Sequence, residues 1–477
     1  MYFQQIFEPK LAQNSYLIGC QQTGEAILVD PMRDIDRYVN IAQHASLRIV
    51  AVTETHIHAD YLSGAREFAE QRGVKVYASN GGEGDWRFKW VSESDYPHQM
   101  LNHGDVFHVG NIEFKCLLTP GHTPEHISFL VTDRGGSAQN PMGILSGDFV
   151  FVGDVGRPDL LELAAGQVGA MVPAAKTLYQ SLKQFKALPN YLQVWPGHGA
   201  GSACGKALGS IPISTVGYEL QYNPSLLATE SETMFVNYIL DGQPEPPMYF
   251  ARMKMDNRDG PAILGSIPEP EPGAEQDLHK LANNKETVLI DTRSWPEFRT
   301  GHIPGAIFAP LDKGFNSVVG CYVTPDIPIF LLIEDQDVQE AVLDLIRIGL
   351  DDIRGYFTKS TFRQYTENAG ELSTIDEIDV RTFQQVLKTE DVHLLDVRRA
   401  SELNQLGFLD NAQNIAHTRL SPRLSEIPNE KPIMVYCQVG MRSAYAAAFL
   451  KKNGYKVTNV AGGFSAWERM GGSTINP

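Results

Sequence analysis

The sequence predicts a multidomain α/β protein, and three observations lead to that class. The chain has 477 residues, more than one hydrophobic core serves, since single cores stop growing near roughly 250–300 residues. Its composition, 43% hydrophobic and 20% charged, is that of folded globular proteins and gives no low-complexity tract to a disordered tail. Short apolar runs of β type alternate with helical stretches, the pattern of sheets covered by helices.

From Ser15 to about Pro120 the strands read "YLIG", "AILVD", "IVAVTETH", "VKVYAS" and "FKCLLTP", with "DIDRYVNIAQHA" and "SGAREFAEQRG" as helices between them. "GILSGDFVFVG" and "LQVWPGHG" repeat the strand-then-loop layout, and the Pro-rich "DGQPEPPMYF" closes the region near Phe250. A second Pro/Gly/Glu-rich stretch, "GSIPEPEPGAEQ" from Gly265 to Gln276, reads as a linker. Beyond it, "VLIDTRSWPEFRTGHIPGAIF" and "HLLDVRRASELNQLGFLDNAQNI" resemble each other: each has a strand, Asp-x-Arg, and a Glu four residues after the Arg. An internal duplication of a small, mostly parallel α/β unit is therefore expected. The expected domains are 1–255, 275–371 and 374–477.

The N-terminus lacks the basic start, apolar core and cleavage site of a secretory leader, and no apolar run reaches the roughly 18 residues of a membrane span. A cytoplasmic protein with no membrane partner is expected. A net charge of −17 disfavours nucleic acid as a bulk partner. The five cysteines, Cys20, Cys116, Cys204, Cys321 and Cys437, are scattered and form no CxxC, which argues against a disulfide framework or a structural zinc cluster.

In "THIHADYLSG", His56, His58, Asp60 and Tyr61 fall within six residues; His122 follows in "TPGHT", Asp148 in "SGDFVFVGD" and His198 in "PGHG". Imidazoles and carboxylates gathered at strand ends beside Gly and Pro turns make a metal-binding pattern. The order HxHxD, His, Asp, His resembles the metallo-β-lactamase superfamily over about Met1 to Phe250, which implies an αββα sandwich with metal at one sheet edge. In that superfamily a dinuclear hydrolase would place one ion on His56, His58 and His122 and a second on Asp60, residue 61 and His198, with Asp148 as the bridge. A neutral phenol is a poor replacement for imidazole in such a site, so Tyr61 marks a damaged second position.

"GDFVFVGDVGRPDL" further resembles persulfide dioxygenases, relatives of glyoxalase II. That resemblance implies one Fe(II) per chain on His56, His122 and Asp148, the facial triad of two histidines and a carboxylate, with the remaining positions open to exogenous ligands. His58, Asp60, Tyr61 and His198 then become the residues around the ligands, which orient them by hydrogen bonds. Arg157 and Asp159 in "GRPD" are expected to brace the loop after Asp148, with Arg157 also assigned to substrate contact.

Near the C-terminus, "VYCQVGMRSAYAAAFLKKNGY" places Cys437 between an apolar strand and an Ala-rich helix, and "AGGFSAWERMGG" follows. With "LLDVR" these segments resemble the rhodanese family over Thr374 to Pro477. The loop Gln438, Val439, Gly440 and Met441 is expected to curl over the thiol and contact substrate, and Arg442 to add a cation, so that Cys437 carries sulfane sulfur. Related phosphatases use the longer CxxxxxR loop; CxxxxR here favours sulfur. The middle segment keeps "LIDTR", "EF" and "GHIPGAI" but offers Glu334 or Asp335 at the catalytic position, so it resembles an inactive rhodanese module. Cys20, Cys116 and Cys321 are expected in the core.

The whole chain resembles bacterial three-domain fusions of the CstB type. The resemblance implies oxidation of a low-molecular-weight thiol persulfide by O2 to sulfite, with Cys437 joining sulfite and sulfane sulfur into thiosulfate or running that transfer backwards. It also implies a second reactive thiol, Cys204, near the metal, with a small residue tolerated in a tight turn as the equal alternative; a homo-oligomer is expected by analogy, since a retained but inactive domain survives as an interface. The alternatives are a glyoxalase II-like dinuclear thioester hydrolase and a non-oxidative sulfur-relay scaffold.

Overall fold

The computed structural model describes residues 1–164, 166–206 and 208–475. By internal contacts the chain divides into two compact units, Met1–Ile267 with Ile346–Gly349, and Pro268–Leu345 with Leu350 onward.

In the first unit, Tyr2–Glu8, Gln13–Cys20, Glu25–Val29, Arg48–Thr53, Lys75–Ser79 and His98–Leu101 form one six-stranded sheet. Val106–Val109, Ile112–Leu118, Ile127–Asp133, Gly143–Gly147, Gln193–Pro196 and Ser214–Thr215 form another. Successive strand residues point to opposite faces, and the buried residues sort accordingly. Tyr16, Ile18, Ile27 and Val29 meet Phe114, Ile127, Phe129 and Leu145 in a core between the sheets. Leu17, Ala26, Leu28 and Val52 face outward onto Tyr38, Ala42 and Phe68 of the helices Asp36–His44 and Ala65–Arg72. On the far side, Ile144 and Val194 pack on Leu178, Leu182 and Phe185 of Met171–Lys186 and on Phe235 and Ile239 of Glu232–Leu240. The layers are α, β, β, α, as expected. The strands Arg48–Thr53, Ile112–Leu118, Gly143–Gly147 and Gln193–Pro196 each end at a loop that carries a predicted metal-site residue.

The second unit holds two five-stranded sheets, every strand pair parallel. In spatial order they are Glu271–Pro272, Ile353–Phe357, Ile329–Leu332, Val288–Asp291, Ile307–Phe308, and Asp376–Ile378, Val457–Val460, Ile433–Tyr436, His393–Asp396, Gln413–Asn414. Numbered within each module, both orders are 1-5-4-2-3. The duplication extends to side chains. Arg293 pairs with Asp291, donates to Gly301 O at 2.9 Å and lies 3.9 Å over Phe362; Arg398 pairs with Asp396, donates to Gly407 O at 2.9 Å and lies 3.8 Å over Phe464.

Three expectations need correction. The linker expected from Gly265 to Gln276 is not wholly irregular: Glu271–Pro272 pairs with Gly355 and Tyr356 as an edge strand, where a proline is tolerated, and Glu275 opens a helix. The boundary expected at residue 255 falls inside the helix Phe250–Asp259. The residue in the middle module that matches Cys437 is neither Glu334 nor Asp335. Asp291 pairs with Leu332 as Asp396 pairs with Tyr436, so the next residue, Ile333, stands where Cys437 stands. The carboxylates come one and two positions later. Cys20, Cys116 and Cys321 are buried, as expected of core residues.

Candidate functional site

His56, His122 and Asp148 come together with ligand atoms within 4.8 Å of one another, all buried. Asp148 Oδ2 lies 3.9 Å from His56 Nε2 and 3.5 Å from His122 Nε2. It accepts no hydrogen bond among the described residues. The partners of both rings fix which nitrogen is free. His122 Nδ1 donates to the carbonyl of Arg157 at 3.0 Å, so its Nε2 keeps a lone pair. The Thr55 hydroxyl donates to Asp30 Oδ2 at 2.9 Å, so it accepts from His56 Nδ1, also at 2.9 Å. His56 Nε2 is therefore unprotonated too. Burial and the surrounding histidines hold the His56 imidazole well below its usual range, and burial lowers that of His122, so both rings are neutral donors. Two imidazole lone pairs and one unshared carboxylate oxygen converging in a buried site are a donor set that fits a divalent cation.

The other predicted residues take different places. His198 spans two carboxylates, with Nδ1 at 2.8 Å from Asp148 Oδ1 and Nε2 at 2.8 Å from Asp60 Oδ2; against the burial that opposes its charge, they raise its pKa to about 10. His58 turns away from the triad: its Nε2 lies 3.2 Å from Asp30 and 3.0 Å from Glu54, while its ring packs 4.1 Å from that of His56. The Tyr61 hydroxyl donates to Asp30 O at 3.2 Å and accepts from Gln13 Nε2 at 3.1 Å. Burial and the Glu54, Asp30 and Asp60 carboxylates push its pKa up, so it stays a neutral phenol packed on Leu11 and Met32. Arg157 does not line an open site. It is fully buried, with Nε and Nη2 on the Asp159 carboxylate and Nη1 on Ala203 O, so its guanidinium is committed to bracing two loops. The chain returns so tightly after Asp148 that a Cβ on Gly156 would meet Asp148 O at 1.7 Å. Cys204 is buried beside Asp60 and His198, with ligand atoms within 4.8 Å. Burial and the Asp60 and Asp148 carboxylates push its thiol up, an environment for SH rather than thiolate.

Several participants were not singled out from the sequence. Asp30, at the end of "AILVD", also accepts the Thr55 amide at 2.7 Å and thereby fixes the start of the metal loop. His126 Nε2 accepts the Asp148 amide at 3.0 Å; burial, with His122 nearby, lowers its pKa to about 3, which keeps that lone pair available. An acid closing an apolar strand and a second histidine four residues after His122 were the available signals.

In the second unit Cys437 is fully buried at the end of Ile433–Tyr436 and before the helix Met441–Lys452. The Gly440 amide donates to Cys437 Sγ at 3.1 Å and Ser443 Oγ at 3.6 Å. Gly440 has φ +108°, the left-handed conformation that turns its N–H toward the sulfur. The "AGGF" segment closes the loop from behind, with Phe464 N donating to Cys437 O at 2.8 Å and Ser465 N to Gln438 O at 3.0 Å. Gln438 is tied to Ser465 and Arg398, while Val439 and Met441 are exposed at the rim. Arg442 is not a free cation: Glu402 takes both of its terminal nitrogens at 2.6 and 2.7 Å.

Comparison with known proteins follows the same division. The metallo-β-lactamase superfamily model matches residues 9–198, and the rhodanese-like domain model matches 274–348 and 379–470. A metallo-β-lactamase of known structure from Staphylococcus aureus is 41% identical, covering 75% of this chain and 99% of its own, at a TM-score of 0.67. This chain belongs to the metallo-β-lactamase superfamily. Its metallo-β-lactamase domain is followed by two rhodanese-like domains. The mitochondrial persulfide dioxygenase ETHE1 of Bos taurus is 26% identical over 227 residues, 46% of this chain and 74% of that protein. A sulfurtransferase of Allochromatium vinosum is 38% identical over 105 residues, 22% of this chain and 97% of that protein. The superfamily fold and the buried donor groups support a metal cofactor. No helix among the described residues is long and apolar enough to cross a membrane.

Proposed function

We propose that this chain is a persulfide dioxygenase joined to a rhodanese sulfurtransferase, acting in sulfide detoxification in the cytoplasm as a homo-oligomer. The observation that carries the reading is the free Asp148 Oδ2 facing two imidazoles whose Nδ1 atoms are both engaged as donors, with Tyr61 removed from the metal-binding role by its hydrogen bonds. The balance is RSSH + O2 + H2O → RSH + sulfite + two protons: the sulfane sulfur loses four electrons and O2 gains them. His56, His122 and Asp148 would hold a single Fe(II), which when bound supplies the activation of O2. The protein orients the ligands through Thr55 and the Arg157 carbonyl, excludes water by burying the triad, and fixes the Asp148 carboxylate through His198. The Bos taurus persulfide dioxygenase supports the substrate class.

At the rhodanese site, the Cys437 thiolate attacks the outer sulfur of a low-molecular-weight persulfide RSSH, the RS–S bond breaks, RSH leaves with the proton, and Cys437 holds the sulfur as a persulfide anion that the Gly440 amide and the N-terminus of Met441–Lys452 are placed to stabilise. Sulfite then attacks the outer sulfur, the S–S bond to Cys437 breaks, and thiosulfate leaves with Cys437 again a thiolate. Cys204 would take sulfur only after losing its proton, its thiolate attacking the outer sulfur of a persulfide RSSH while the RS–S bond breaks and RSH leaves; its buried setting beside two carboxylates opposes that step. A second reading, a dinuclear thioester hydrolase, draws on the grouping of Asp60, His198 and Cys204. Anaerobic Fe(II) reconstitution followed by metal counting and O2 uptake across a panel of low-molecular-weight persulfides separates the two. One iron per chain with persulfide-dependent uptake is expected; two metals per chain and thioester hydrolysis without O2 uptake would establish the hydrolase.

A further inference from the structure

The helix Phe250–Asp259 does work in the first unit that neither the metal triad nor the sulfur chemistry explains. On one face, Lys254 and Asn257 are three residues apart, the spacing that puts side chains side by side. Asn257 is buried and uses its whole amide on the metal loop: Nδ2 donates to His58 O at 2.8 Å and Tyr61 O at 2.7 Å, and Oδ1 accepts from Ser63 N at 2.8 Å. Lys254, also buried, rests its ammonium 2.8 Å above the Trp86 ring. Glu125, fully buried in the His122 loop, is the acid that acts on it most strongly; burial moves the two toward each other, Lys254 down and Glu125 up, each to about 7. Glu125 Oε1 accepts the amide of Ile57, the residue between His56 and His58, at 2.8 Å. Its Oε2 finds no hydrogen-bond donor of good geometry among the described residues. Trp86 and Glu125 close on Gly82, where a Cβ would lie 2.6 Å from Trp86 O and 3.1 Å from Glu125 Cβ, so the brace is closely packed.

We propose that Glu125 is a positioning residue that cross-braces the His56 and His122 loops, with Lys254 as its buried basic partner and Asn257 as the clamp on the far end of the same loop. The brace sets the separation of the two Nε2 atoms and hence metal affinity and ligand field. It rests on the metal reading given above, and it concerns only this chain's own residues.

Co(II) absorption and equilibrium dialysis on the full chain test it without turnover. His122→Ala, which should abolish binding, identifies the site. Glu125→Ala is expected to weaken Co(II) binding about 10–100-fold, the range for groups that orient metal ligands, and to shift the visible band. Glu125→Gln, whose amide oxygen still accepts from Ile57, should restore both. Lys254→Met should weaken binding by leaving Glu125 unanswered, and Lys254→Met/Glu125→Gln should recover it. A folded Glu125→Ala with wild-type affinity and spectrum would overturn the inference while leaving the metal site intact. Should Glu125→Ala fail to fold, a double variant binding no better than Lys254→Met overturns it instead. A wild type that binds no Co(II) at His122 would take down the metal reading together with this one.

Discussion

His198 Nδ1 lies 2.8 Å from Asp148 Oδ1, while the other oxygen of that carboxylate faces His56 and His122. One imidazolium thus orients the carboxylate so that its second oxygen stays available. His198→Ala is expected to lower metal affinity about 10–100-fold, and Asp148→Ala to abolish binding. Competition with a chromophoric chelator measures both; equal losses would mean that His198 is a ligand itself.

The same contact sets a pH dependence in metal-free protein. The two carboxylates raise His198 to about 10, above the roughly 6.5 of a free imidazole. The stabilisation is fully present below about 6.5 and is lost as pH rises through about 10. Urea unfolding of chelator-treated protein between these limits should show falling stability, and His198→Gln should flatten that part of the curve. A flat wild-type profile would contradict the assignment.

Removing the Tyr61 hydroxyl tests whether residue 61 serves the metal. Tyr61→Phe loses the hydrogen bonds to Asp30 O and Gln13, and should cost about 1–2 kcal/mol of stability with metal content unchanged. A loss of metal comparable to that of Asp148→Ala would return Tyr61 to the ligand set.

The two chemistries should separate by mutation. Cys437→Ser is expected to end sulfur transfer to sulfite while persulfide-dependent O2 uptake persists. Glu402→Gln, which removes the counter-charge of Arg442, should change the Michaelis constant for anionic sulfur donors several-fold with little effect on uptake. Parallel assays of thiosulfate formation and O2 consumption decide it; loss of both activities in Cys437→Ser would show that they are not independent.

Ile333→Cys should gain no sulfurtransferase activity. The new thiol would be followed by Glu334, Asp335 and Asp337, whose charge opposes a persulfide anion. Cyanolysis of the thiosulfate-treated variant measures it.

The layers and the duplication were legible because strand alternation and the repeated Asp-x-Arg pattern are local signals. That His56, His122 and Asp148 come together was legible because they sit at strand ends that the sequence marks with Gly and Pro; choosing those three as a ligand set came from the resemblance. What surrounds them was not legible. Asp30, Glu125 and Asn257 reach the metal loop from 25, 68 and 196 residues away along the chain, and a single carboxylate or amide in a sequence carries no sign of such a partner. Arg157 departs from the expected substrate contact because Asp159 and a loop carbonyl bury its guanidinium, and that burial depends on how the chain folds back after Asp148. The position of Ile333 required strand register: from the sequence the acidic residues stand out, whereas pairing between neighbouring strands decides which residue occupies the sulfur's place.

The shared strand order of the two rhodanese-like modules bears on how the chain reaches its folded state. Neighbouring copies of one topology invite a strand of one copy to enter the sheet of the other during folding. The modules differ at the point where such an exchange would have to close: the helix begins at Met441, four residues after Cys437, but at Val338, five residues after Ile333. An exchanged strand would arrive with a connection of the wrong length and with a buried isoleucine or cysteine in the other's socket. The divergence between the copies at this point therefore also helps each strand to recognise its own sheet.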